Sequence, residues 1–108
     1  MDQQMYNELV HGILSVLSDR ALKIVLYGSA ARGTETPESD IDIAVFVNSG
    51  IDSEIEDRLS EMIMDLNLKY NKVFSVIDID DATYRKWKGV TPFYQNVDRE
   101  GIVLWKAA

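Results

Sequence analysis

Leu26-Tyr27-Gly28-Ser29-Ala30-Ala31-Arg32-Gly33-Thr34-Glu35-Thr36-Pro37-Glu38-Ser39-Asp40-Ile41-Asp42-Ile43 is the stretch that decides the fold. It joins a glycine turn to two carboxylates one residue apart. Leu22 to Tyr27, which leads into it, is apolar and β-branched like a buried strand, and Ile43-Ala44-Val45-Phe46-Val47 continues an alternation begun at Asp40. The motif therefore bridges two strands of one sheet. Side chains two positions apart on a strand share a face about 6.5–7 Å apart, so Asp40 and Asp42 project together while Ile41 and Ile43 point the other way. Two bare carboxylates at that spacing repel by about 2–3 kcal/mol at an effective dielectric near 20. A hard cation such as Mg2+ between them turns the repulsion into attraction.

Gly28 permits close backbone approach, and the Ser29 hydroxyl with the amides of a following helical turn, Ala30-Ala31-Arg32, can hold phosphate oxygens. Arg32 reads either as a phosphate donor or as half of a surface ion pair with Glu35 or Glu38. Gly33 to Pro37 returns the chain so that Asp40 and Asp42 face the Gly-Ser turn. No Gly-Lys-Ser/Thr follows the turn, so this is not a Walker P-loop.

Working outward, Met5, Leu9, Ile13 and Leu17, widened by Val16, recur at helical spacing and predict an amphipathic helix over 3–18. His11 reads as a polar position on its exposed face. Ile55, Leu59, Met62, Ile63, Leu66 and Tyr70 form a second stripe, opposite an acidic face of Glu54, Asp57, Glu61 and Asp65, with Asp52 or Ser53 as cap and the Met62/Met64 pair as core filling. Val73 to Asp80 reads as a third strand and Ala82 to Trp87 as a short helix. Thr91-Pro92-Phe93-Tyr94 opens a helical turn, Asp98-Arg99-Glu100-Gly101 reads as a turn, and Ile102 to Trp105 as a last strand. The order α-β-β-α-β-α-β describes one α+β (α/β) domain over 1–108, a mixed sheet of about four strands with helices packed on it. The choice of label depends on strand directions.

At 108 residues and 46% hydrophobic content the chain suits one core. It has no cysteine, which excludes disulfides, a thiol nucleophile and a zinc-thiolate site and fits a reducing cytoplasm. The start lacks the pattern of a signal peptide, and no apolar run reaches membrane-spanning length, so a cytoplasmic protein is expected. A formal charge of -7, from 11 Lys and Arg against 18 Asp and Glu, argues against broad nucleic-acid binding. A nucleotide remains acceptable if magnesium and local donors offset the repulsion.

Through Leu26-Tyr27-Gly28-Ser29-Ala30-Ala31-Arg32-Gly33 and Ser39-Asp40-Ile41-Asp42-Ile43, in the form Gly-Ser-x10-Asp-x-Asp, the chain resembles the minimal nucleotidyltransferase family of the polymerase-beta-like superfamily. The resemblance implies transfer of a nucleoside monophosphate, AMP foremost, from ATP or another nucleoside triphosphate to a hydroxyl of a protein or small molecule. It gives Asp40 and Asp42 the two metal ions and the catalysis, and Gly28, Ser29 and Arg32 the phosphates. Family enzymes usually add a third carboxylate from a neighbouring strand, and Ser75 falls at that place. Asp78 lies on the opposite strand face and could serve only if the strand were bulged, since a one-residue slip exchanges the faces. Otherwise Asp78, Asp80 and Asp81 end the strand and cap the next helix.

Larger relatives carry a second domain, so a protein partner or a second copy would complete the pocket. Small members of the family are often antitoxins paired with a small helical ribonuclease-type toxin. The alternative is a binding module that keeps the shape and neutralises a partner without chemistry. Tyr84-Arg85-Lys86-Trp87-Lys88 is the one local basic-aromatic cluster; it could contact phosphates or a partner, and the favoured reading is an ordinary amphipathic helix with lysines near its C-terminal end.

Overall fold

The structure is a computed structural model and describes residues 2–48 and 50–108. Helix α1 (Gln3–Leu17) buries Met5, Leu9, Ile13 and Leu17 as their spacing requires, with Tyr6 added, and Asp2 caps it by accepting from the Met5 amide at 3.1 Å. A short 3-10 turn, Ser18–Arg20, leads into β1 (Ala21–Tyr27). One helical turn, α2 (Ser29–Arg32), precedes β2 (Ile41–Val47). Then come α3 (Ser53–Tyr70), β3 (Phe74–Asp80), α4 (Asp81–Trp87), α5 (Pro92–Glu100) and β4 (Ile102–Lys106).

The strands form one sheet in the order β3-β2-β1-β4. β1 runs antiparallel to β2 and β4, whereas β2 and β3 are parallel, so the sheet is mixed. That topology makes the fold α+β, and no helix among the described residues is long and apolar enough to cross a membrane.

One face of the sheet carries the larger core: Ile24, Leu26, Ile41, Ile43, Val45 and Phe74 pack against α1 and α3. The helices approach closely at Gly12, where any Cβ would strike the Met62 thioether. The other face holds a smaller cluster of Val25, Ala44, Phe46, Ile79, Tyr84 and Val97, covered by α4 and α5. Register sorts this second face into rows: Tyr27, Asp42 and Ser75 at one end, Val103, Val25, Ala44 and Ile77 in the middle, and Lys106, Lys23, Phe46 and Ile79 at the far end.

Three local expectations are corrected. Asp98, Arg99 and Glu100 are not a turn but the last residues of α5, which continues because Val97 is buried beneath it and the Tyr84 hydroxyl ties to Asp98. Met64 does not fill the core. It is 63% exposed on the outer side of α3, while Met62 packs inward against Gly12. Strand β3 begins at Phe74 rather than Val73, whose side chain is exposed although its carbonyl accepts from the Ile41 amide at 2.8 Å.

Tyr84 pins α4 to the sheet: its ring meets Phe46 edge-on at 4.8 Å, and its hydroxyl donates to Asp98 at 2.6 Å. Burial first, then that hydrogen bond and the charges of Asp98 and Asp81, push the phenol up to about 12. A phenol raised on folding contributes stability that is fully present below the ordinary tyrosine range and disappears as pH rises through about 12. Spectrophotometric titration should lose its last ionisation step, near pH 12, in Tyr84→Phe. Urea unfolding of that variant should give a loss of about 1–2 kcal/mol at neutral pH.

Candidate active site

The Gly28 turn is shaped by its backbone. Gly28 sits at φ 75° and ψ −154°, a conformation closed to other residues at low cost, and opens α2 as its N-terminal cap. Its missing side chain is occupied by a neighbour: a Cβ there would collide with the Asp42 carboxylate. The turn closes through the Arg32 amide to the Gly28 carbonyl (3.1 Å) and the Thr34 amide to the Ser29 carbonyl (3.0 Å), and Gly33 ends it in the left-handed region at φ 75°. Ser29 is thereby placed at the mouth of the turn.

Asp42 lies in β2 opposite Tyr27 and is half-buried, and Asp40 stands exposed just before the strand. Burial first, and then the negative charge of Asp40, hold the Asp42 carboxyl above the usual carboxylate range, with Arg32 acting in the opposite sense. Burial and the Asp42 charge likewise raise the Tyr27 phenol. The Asp40 charge thus reaches Asp42, although Asp40 lies just outside the strand and not on it as the alternation had it.

The neighbouring strand settles where Ser75 and Asp78 lie. Parallel pairing runs without a break from Ile41 against Phe74 to Val47 against Asp80, so no bulge exchanges the faces of β3. Ser75 pairs with Asp42 and shares its face. Asp78 pairs with Val45, projects to the opposite face and borders a groove with α3 residues Glu56 and Met64. Asp80 caps α4 through the Thr83 amide at 3.0 Å, and Asp81 pairs with Arg85 at 2.7 Å. Among the described residues no third histidine or carboxylate joins Asp40 and Asp42. Two carboxylates remain a workable donor set for Mg2+, which commonly takes one or two and completes its shell with water and substrate phosphates.

Arg32 departs from its expected surface partners. Its guanidinium donates to Glu100 of α5 at 2.9 Å, not to Glu35 or Glu38, with side chains 48% and 31% exposed. That pair closes one side of a cavity of about 220 Å³ lined by Tyr27, Gly28, Arg32, Phe93, Asn96 and Glu100. Phe93 meets Tyr27 edge-on at 5.6 Å. Sequence reasoning missed Glu100 and Phe93 as neighbours of the Gly-Ser turn. The available signal was the helical spacing of Phe93, Val97 and Glu100, hidden when the helix was ended early.

A glycine turn facing paired carboxylates across adjacent antiparallel strands of a small mixed sheet defines a nucleotidyltransferase fold. The family model described as Polymerase beta, Nucleotidyltransferase matches residues 13–107, and the chain belongs to that family. Among its relatives is a candidate protein adenylyltransferase of Methanocaldococcus jannaschii, MJ0604, 35% identical over 96% of this chain and 98% of its own length. A toxin-antitoxin crystallised with AMP-PNP matches with TM-score 0.65 at 23% identity, over 94% of this chain and 73% of that one. A Shewanella oneidensis complex of a tri-AMPylated HEPN toxin with an MNT antitoxin matches with TM-score 0.62 at 22% identity, over 99% and 74%. At these identities the structural matches establish the fold.

The raised Asp42 carboxyl sets a pH dependence. A carboxylate raised on folding holds its proton more tightly in the folded state, so ionising it lowers stability. The penalty is absent below the ordinary aspartate range, grows through the interval up to the raised value and is complete at neutral pH. Asp42→Asn should therefore melt at a higher temperature than the wild type at pH 7 and at nearly the same temperature in strong acid, measured by calorimetry across pH.

Proposed function

We propose that the protein moves AMP from ATP to a hydroxyl on a partner protein, with magnesium, at Asp40 and Asp42. The observation that carries this reading is the Asp42 carboxylate seated against the bare face of Gly28, which suits a metal ligand working beside a turn that holds phosphates. A surface that only bound a partner would have no use for that arrangement. Relatives named for protein adenylylation, and neighbours of the same fold from toxin-antitoxin pairs, support a protein acceptor and an antitoxin role.

Asp40 and Asp42 would hold the metal, which would supply positive charge against that developing on the triphosphate. Ser29 and the turn amides would orient the outer phosphates, and Arg32 would reach them by leaving Glu100. The hydroxyl oxygen then bonds to the α-phosphorus as the bond from that phosphorus to the α,β-bridging oxygen breaks; pyrophosphate departs, and the hydroxyl proton passes to solvent water, since Ser75 stands where a carboxylate base would. Incubation with Mg2+, ATP and a candidate partner, most directly a small helical protein encoded beside this one, should add one or more AMP masses to that partner. Asp40→Asn should reduce the rate about 100-fold or more.

Ser75 favours a second reading, a nucleotide-binding module that neutralises its partner without chemistry, because a serine beside Asp42 cannot supply a carboxylate's charge. A partner silenced by stable binding, with no added mass at any ATP concentration, would establish that reading instead. Ser75→Asp separates the two further. It restores an acid in register with Asp42 and should accelerate transfer by about 10-fold or more if proton removal limits an active enzyme.

A further inference from the structure

The far row of the catalytic face gathers positive charge. A cavity of about 490 Å³ is lined there by Lys23 of β1, Arg85 of α4, Lys88 just beyond it and Lys106 of β4, so cations from three separate parts of the chain converge in a protein of net charge -7. Lys23 and Lys106 are direct cross-strand partners. Like charges placed opposite each other destabilise a sheet, so this pairing costs stability unless an anion lies between them. The floor is aromatic: the Lys23 ammonium stands 4.5 Å from the centre of the Phe46 ring and 5.6 Å from that of Tyr84, and the Lys88 ammonium stands 5.7 Å from the Tyr84 ring. Asp81 is the one acidic side chain in the lining and is already paired with Arg85 at 2.7 Å. Ala108 also lines the cavity, yet among the described residues no carboxylate lies within ion-pair distance of any of the three lysines.

We propose that this cavity is a binding site for a compact, multiply charged phosphate, separate from the catalytic turn. Lysine ammonium groups act as movable point charges suited to phosphate oxygens, and Arg85 keeps donors beyond the one given to Asp81. Four residues of strand separate the Lys23 row from the Tyr27–Asp42 row, about 13 Å, too far for one phosphate group to span both. The site stands whether or not Asp40 and Asp42 catalyse transfer.

Pyrophosphate is the probe, titrated by calorimetry and by amide NMR with EDTA present, so that Asp40 and Asp42 repel it rather than sharing metal with it. Binding is expected in the wild type, unchanged in Asp42→Asn and Ser29→Ala, and weakened about tenfold or more in the Lys23→Ala/Lys88→Ala double variant, with shifts centred on residues 22–23, 84–88 and 106–107. Lys23→Arg should retain it. Adenosine triphosphate run in parallel identifies the source through the part of its binding that the Lys23→Ala/Lys88→Ala variant loses: tighter than pyrophosphate points to a nucleotide, equal to the phosphate chain alone. No binding in the wild type, equal binding in the double variant with unchanged melting temperature, or loss on Ser29→Ala would overturn the assignment.

Discussion

The contact between Gly28 and Asp42 is the constraint from which the site is built. It requires a residue without Cβ at positive φ on one side and a carboxylate on the other. It also requires that β1 and β2 pair in the register that sets Tyr27 against Asp42. That register is fixed in turn by the larger core, because sliding β2 by one residue would carry Ile41, Ile43 and Val45 out of contact with α1 and α3 and bury Asp42 in their place. The hydrophobic layer on one face thus determines the chemistry on the other. The raised carboxyl of Asp42 follows from the same geometry: a charged group held close to backbone, beside a second carboxylate, because the strand leaves it nowhere else to point.

The parts legible in the sequence were those written in short periods. The strand alternation, the two helical stripes, the Asp52 and Asp80 caps and the Gly-Ser-x10-Asp-x-Asp spacing each depend on residues a few positions apart, and each appears where the pattern placed it. Even the status of Ser75 and Asp78 could be read as face parity, with only the absence of a bulge left for the pairing to decide. What escaped depends on distant parts of the chain. Arg32 had acidic neighbours at Glu35 and Glu38 but is met by Glu100 across the fold. The polar run Asp98-Arg99-Glu100 reads as a turn until Val97 is seen to be buried under the sheet's second face. Met64 resembled Met62 in sequence and differs from it by two helical positions, which is enough to turn it to solvent.

The second face of the sheet is electrically polarised. Its acidic end carries Asp40 and Asp42, its basic end Lys23, Lys88 and Lys106, and Val25 and Ala44 form a neutral strip between them. In a chain so acidic overall, such segregation concentrates the scarce cations where they share one cavity. It also keeps Lys23, Lys88 and Lys106 away from Asp42, whose carboxyl stays raised.

β4 contributes little buried surface, but it pairs with β1 from the opposite end of the sequence, and the segment leading into it brings Glu100. Contacts between such distant segments carry the largest loop-closure cost: Arg32 and Glu100 lie 68 positions apart in a chain of 108 residues. During synthesis the Gly28 turn and the Asp-x-Asp strand can associate well before β4 leaves the ribosome, whereas the Arg32–Glu100 pair and the Lys23–Lys106 juxtaposition cannot. A chain in which β1 and β2 have paired but β4 has not yet joined would therefore hold the Gly28 turn with Arg32 unrestrained and only part of the cationic cavity assembled.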